Sequence, residues 1–253
     1  YFLHITYEKN IQLNQTHWTK QNVCAVDLGL TNSAVCSIVN SDGTVLARKF
    51  INQAREKDRY ATMVNKLKKA QRLSGVPIQA PRYWNRLNGL RKFIRIDTAT
   101  QIIRFAKEHG AHVIVCEYLG NMNVHGAKRL RCKLHHWDKR AIQQKVREMA
   151  HYEGMRFTTV NPKNTSSLAF DGSGKVKRVG RKDIAIFSTG KQYQADLNAS
   201  YNIAARYFIR QMKKSMSETN WLRVATKASP HVGRTTICTL SSLIALRKVY
   251  ATV

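Results

Sequence analysis

Negative charge is what this sequence has least of: 15 Asp and Glu stand against 43 Lys and Arg, a formal charge of +28 over 253 residues. A surplus that large repels itself in a solitary globule, so it reads most simply as a surface that binds a polyanion. Ribosomal or membrane-surface binding would leave the same sign, and a merely soluble basic surface is the plain alternative. No apolar run reaches the roughly 18 residues needed to cross a bilayer, which excludes a spanning helix, and no signal peptide is visible. Cysteine is also sparse, five in all and without a C-x-x-C pair. That excludes a disulfide framework and fits a reducing, cytoplasmic setting. Three of the five, Cys24, Cys36 and Cys116, lie inside apolar, strand-like runs, where the thiol behaves as a small hydrophobe.

What is present is an alternation of strand and helix patterns. Residues 1–7, YFLHITY, read as one strand of a preceding unit, and a chain that opens on Tyr1 rather than Met reads as a piece of something longer. VCAVDL, SAVCSIVN and TVLARKFI follow, the last two joined by Ser41-Asp42-Gly43, a hairpin signal. They predict an antiparallel meander whose first strand, apolar throughout, belongs mid-sheet with both faces covered. Helical spacing then sets Tyr60, Val64 and Leu67 opposite Lys66, Lys68, Lys69 and Arg72, until Pro77 and Pro81 break the helix. A second helix starts after Pro81 and carries Leu90, Ile94, Thr98, Ile102 and Phe105 toward Gly110. HVIVCEYL is another apolar run. A third helix, from about His136 to Tyr152, packs Ile142, Val146 and Met149, and MRFTTV reads as a further strand. Residues 165–194 are rich in Gly, Ser, Lys and Arg and read as an insertion or a flexible excursion. Helical pattern resumes at ADLNASYNIAARYFIRQ. Residues 215–253 mix a polar linker with a short apolar segment, LSSLIALRKVY.

In so basic a chain the acids stand out. Asp27 and Glu117 each close an apolar run, and Asp196 opens a helix. Neighbouring strands can bring the first two together, and a helix crossing the sheet can add the third. Three carboxylates in one place repel and raise one another's pKa values unless cations neutralise them. Hard oxygen ligands suit Mg²⁺ or Mn²⁺, and a pair of such ions supports phosphodiester cleavage. Each acid also has a structural alternative: a turn bond for Asp27, an arginine partner for Glu117, a helix N-terminus for Asp196.

The order DLGLTN, VIVCEYLG, ADLNASYNIA resembles the three RuvC motifs of TnpB-type transposon nucleases and of the type V CRISPR effectors. Between them, KLHHWDKRAIQQKVREMAHYEGMRFTTVNPKNTS is similar to that family's passage from a basic, Trp-containing segment through a helix and a strand to a Thr-Ser end. The match spans roughly residues 21–210. It implies an α/β, RNase H-like (RuvC) fold: a mixed sheet in which parallel strands extend the meander, with helices around it. It further implies that Asp27, Glu117 and Asp196 are the catalytic residues and the Mg²⁺ (or Mn²⁺) ligands of a DNA endonuclease. Guide RNA and target DNA would be the partners, with base pairing reading the sequence, in a nucleoid-associated setting. Whether a second copy of the chain takes part is left open.

The same resemblance divides the chain into 1–20, the end of a preceding β-barrel-like (wedge) domain; 21–164, the first part of the nuclease core; 165–194, an insertion; 195–214, the final core helix; and 215–253, a C-terminal tail. In the family the Thr-Ser end introduces a zinc ribbon with two C-x-x-C pairs. Here the first pair would fall near Ala169 and Gly172 and the second near Ile186 and Thr189, so no zinc is expected. The insertion is read as a degenerate, zinc-ribbon-like segment that handles the target strand through Lys175, Lys177, Arg178, Arg181 and Lys182; a solvated basic loop is the alternative. Lys66, Arg72, Arg82, Arg86, Arg131 and Lys133 are the other expected nucleic-acid contacts. Tyr83 and Trp84, between Arg82 and Arg86, are placed to stack on bases or to pack in the core.

Two weaker signals fail. Gly172-Ser173-Gly174-Lys175 lacks the first glycine and the Ser or Thr of a phosphate-binding loop. Cys132, His135 and His136 make half a metal site with no second pair nearby. Two readings compete with the guided nuclease: an RNA-guided protein that binds DNA and cuts poorly, and a guide-independent resolvase or transposase nuclease of the same fold.

Overall fold

The computed structural model describes residues 3–75, 80–120, 138–178, 183–228 and 237–252. Its centre is a five-stranded sheet in the order β3-β2-β1-β4-β5. The strands are β1 Asn22–Asp27, β2 Ala34–Asn40, β3 Val45–Ile51, β4 Val113–Glu117 and β5 Arg156–Val160. Strands β1, β2 and β3 pair antiparallel, while β4 runs parallel to β1 and β5 parallel to β4. The apolar run of β1 therefore lies mid-sheet, as expected, and the fold is the mixed, RNase H-like one. Gly43 turns the β2–β3 hairpin at a φ of 86°, a left-handed conformation that glycine adopts without strain.

Strand alternation divides the core in two. Val23 and Ala25 of β1 and Val113 and Val115 of β4 point to one face, which is covered chiefly by helix α4 (Ala195–Lys214) with α5 (Glu218–Ala228) and α6 (Leu240–Tyr250). Cys24, Val26, Ile114 and Cys116 point to the other, beneath α2 (Pro81–Glu108) and α3 (Lys139–Tyr152). A hydrogen bond with Cys36, and then burial, lift the Cys24 thiol well above its ordinary range, and burial does the same for Cys116, so these cysteines are inert packing. Helix α1 (Ala54–Ser74) lies outside this core and buries only Leu67. It stops at Gly75, which takes the left-handed conformation at φ 64°.

Several expectations are corrected. Residues 3–17 form no strand, and Leu3, Ile5 and Tyr7 are exposed; the alternation of YFLHITY has no neighbouring strand to pair with among the described residues. Trp84 is exposed rather than packed in the core. The 215–253 stretch is no mere tail, since Trp221, Val224, Leu240, Leu243 and Leu246 enter the core beside α4. The described part of 165–194 is an ordered knuckle. Strands β6 (Ile184–Ile186) and β7 (Gln192–Gln194) pair antiparallel, and Ala169, Ala185, Phe187 and Ala195 are buried together. Phe170 packs edge-on against Phe187, Tyr193 and Tyr201 at 5.0 to 5.5 Å between ring centres. Ala169 lies inside this apolar and aromatic cluster, and half-buried Ile186 bridges to Lys177.

Candidate active site

Asp27 is the last residue of β1 and Glu117 the last of β4. The two strands run parallel, with Val26 opposite Cys116 as their final pair, so both acids leave the same end of the sheet side by side. Parity fixes their face: Asp27 continues the Val23–Ala25 series and Glu117 the Val113–Val115 series. That is the face α4 crosses, and α4 carries Asp196 in its first turn. Two period-2 strands and one helix start thereby converge on one location.

The neighbours orient the acids. Thr165 Oγ1 donates to Glu117 Oε1, and Gln143 Nε2 of α3 donates to the Glu117 carbonyl at 2.7 Å. Asn32 Nδ2 and Gln194 Nε2 approach Asp196 Oδ2 at 3.5 and 3.3 Å, while Gln194 caps α4 by accepting from Leu197 N at 2.5 Å. The asparagines of ADLNASYNIA hold the root of the knuckle. Asn198 Nδ2 and Asn202 Nδ2 donate to the Leu168 carbonyl at 2.8 and 2.9 Å, and Asn202 Nδ2 also reaches the Thr165 carbonyl at 3.0 Å. Gly29 keeps the pocket open: a Cβ there would stand 2.7 Å from the Asn32 carbonyl oxygen and 3.5 Å from Asp196 Oδ2.

The electrostatics match that convergence. The Asp27 carboxyl is pushed well above the usual carboxylate range, first by burial and then by the charges of Glu117 and Asp196. Part of the Asp27 residue surface stays open, yet protein atoms crowd the carboxyl closely enough to disfavour its charge. Lys139, the first residue of α3, and Arg178 of the knuckle pull the other way. Burial lowers the Lys139 ammonium, and Asp27, Glu117 and Asp196 all oppose that shift. Three carboxylates and two cations therefore share one field. By charge and donor chemistry the acids fit a hard divalent cation, although no group of three His, Cys, Asp or Glu side chains is drawn together as a ligand set among the described residues.

Of the expected nucleic-acid contacts among the described residues, Arg178 alone enters the field at Asp27; it also donates to the Ser166 carbonyl at 3.2 Å. Lys175 and Lys177 are exposed on the knuckle, Lys66 and Arg72 on α1, and Arg82 and Arg86 on the first turns of α2. Arg131, Lys133, Arg181 and Lys182, with Cys132, His135 and His136, lie outside the described residues. Sequence reasoning missed Lys139, Thr165 and Gln194. Each belongs to the site through chain packing, and Gln194 alone had a local signal, its place just before a helix-opening acid.

No protein-family model matches the chain. Over 223 residues it is 25% identical to a TnpB-like protein of Aquifex aeolicus (strain VF5), covering 80% of this chain and 72% of that protein. Among solved structures it is similar to a Cas12f1 in complex with sgRNA and target DNA, with a TM-score of 0.57, 18% identity, and 72% of this chain and 49% of that one covered. It is also similar to a CRISPR-Cas12f ternary complex, with a TM-score of 0.52, 17% identity, and coverage of 77% and 41%. The chain thus spans about half or less of the length of these solved relatives. At such identities the likeness is one of fold.

Proposed function

We propose that this chain, which resembles TnpB-like proteins and has the RuvC-like fold of type V effectors, is the nuclease domain of an RNA-guided DNA endonuclease. The observation that carries the reading is the strand register and parity that bring Asp27 and Glu117 to one sheet end beneath the helix start bearing Asp196. These three would hold Mg²⁺ or Mn²⁺, which when bound supplies Lewis-acid stabilisation and a nucleophile from water. Around them, Thr165 orients Glu117, and Asn32 and Gln194 orient Asp196. Lys139 and Arg178 offset the acids' charge and offer cations to an incoming phosphodiester. Water oxygen adds to phosphorus as the bond from phosphorus to the leaving oxygen breaks. The division of the chain at residues 164 and 194, with the knuckle between them handling the target strand, belongs to the same proposal.

Asp27→Ala in the guide-loaded protein tests it: Mg²⁺-dependent cutting of a matched target should be lost, and undiminished cutting refutes the assignment. One observation favours a second reading, guided binding with poor cleavage: the Lys139 ammonium shares the field of the three acids. Cleavage and binding measured on one matched target separate the two. Sequencing the RNA that co-purifies distinguishes both from a guide-independent nuclease.

A further inference from the structure

Between α2 and the start of α3 lies a cleft of about 420 Å³ lined by Asn88, Arg91, Lys92 and Arg95 of α2 and by Asp138. The four α2 residues follow i, i+3, i+4, i+7 spacing, so they form one stripe along the helix. Three cations and one carboxylate line it, with Glu148 of α3 adding its charge near Arg95, and Asp138 does not satisfy the arginines. Asp138 stands 3.7 Å from Arg91 and 3.9 Å from Arg95, both beyond hydrogen-bond length. The Nε of Arg91 is buried and has no hydrogen-bond partner among the described residues. A buried guanidinium nitrogen left without an acceptor costs free energy, and here it sits on the wall of a concavity lined with positive charge. The fork geometry of paired arginines matches the oxygens of a phosphate.

Position says which phosphate. Asp138 lines the cleft, and the next residue, Lys139, lies in the field of Asp27, Glu117 and Asp196. Consecutive residues at the start of α3 therefore border the two places. We propose that this cleft grips a backbone phosphate of the DNA strand that enters the acid pocket, with Arg91 and Arg95 as its fork and Lys92 and Asn88 as flanking donors. The inference rests on the nuclease reading for the identity of the strand, but its test does not need cleavage.

Binding of a single-stranded DNA oligonucleotide is measured across salt concentrations without divalent cations, so a failed cleavage assay leaves this measurement standing. For Arg91→Gln with Arg95→Gln, loss of one phosphate contact should shallow the slope of log K against log salt by about 0.7. Affinity at moderate salt should fall about fivefold. The control is Lys213→Gln with Lys214→Gln, exposed at the far end of α4, roughly 26 Å along that helix from Asp196. An equal loss in the control, or no loss in the arginine variant, overturns the proposal. Should the glutamine pair fail to fold, Arg91→Lys with Arg95→Lys keeps the charges and should still weaken binding by loss of the fork; wild-type affinity there overturns it. Inorganic phosphate alone is the last arm: if it raises the Tm of wild type and not of the glutamine pair while DNA binding is equal, the cleft takes free phosphate and the strand reading falls.

Discussion

Asp27→Asn separates what the acid pocket costs the fold from what it is proposed to do. The Asp27 carboxyl is crowded by protein atoms and by the charges of Glu117 and Asp196. Asparagine keeps its shape and carries no charge. At neutral pH and without metal, the variant should therefore be more stable than the wild type. The expected gain is on the order of 1–2 kcal/mol, the low end for an uncompensated buried group because Asp27 keeps part of its surface open. For a domain of this size that is about 2–8 °C in Tm. The sign with pH follows from a folded pKa that is raised. An unfolded-chain aspartate ionises near about pH 4; below that both states carry the proton and the charge costs nothing. As pH climbs through the raised folded value the wild type loses ground, and the two melting curves part. Thermal scans in EDTA from acid to neutral pH read this directly. A variant that melts at or below the wild-type temperature at neutral pH would refute the reasoning. Added Mg²⁺ should stabilise the wild type more than the variant, while cleavage by the variant is lost.

Two further substitutions probe the surroundings. Gly29→Ala puts a Cβ 2.7 Å from the Asn32 carbonyl oxygen, so the turn that aims Asn32 at Asp196 must move; cleavage should fall tenfold or more for a stability loss of about 1–3 kcal/mol, and an unchanged rate would contradict the role given to that turn. Phe170→Ala removes the ring that touches Phe187, Tyr193 and Tyr201. Losing about 2 kcal/mol of local packing should speed hydrogen exchange roughly 30-fold at the knuckle amides of Val176, Lys177 and Ile186 and leave β1 and β4 protected; EDTA added to the wild type should not reproduce the effect.

The middle of the fold was legible because its signals are local. An unbroken apolar run marked β1 as central, and the acid that closes each of two such runs sits at the same end of the sheet. Helix α4 announced itself by spacing and by its opening Asp196. Other features depend on partners distant in sequence. Lys139 reads as one more lysine at a helix start, and only the packing of α3 on the sheet turns it toward three acids. Phe170, Phe187 and Tyr193 are single aromatics scattered through polar sequence, and their shared core exists only once β6 and β7 pair. The same dependence misled in reverse at residues 3–7, where alternation suggested a strand but no strand among the described residues pairs with it. Polar stretches around α5 and α6 hid the few large side chains that complete the α4 face.

Helix α4 is the cover of one sheet face and the bearer of the third acid. During synthesis β1 to β5 emerge first, and Val23, Ala25, Val113 and Val115 stay without their lid until residues beyond 195 have cleared the ribosome. A chain interrupted earlier has an open sheet and an incomplete set of carboxylates. Completion of the core and assembly of the three carboxylates are thus one event.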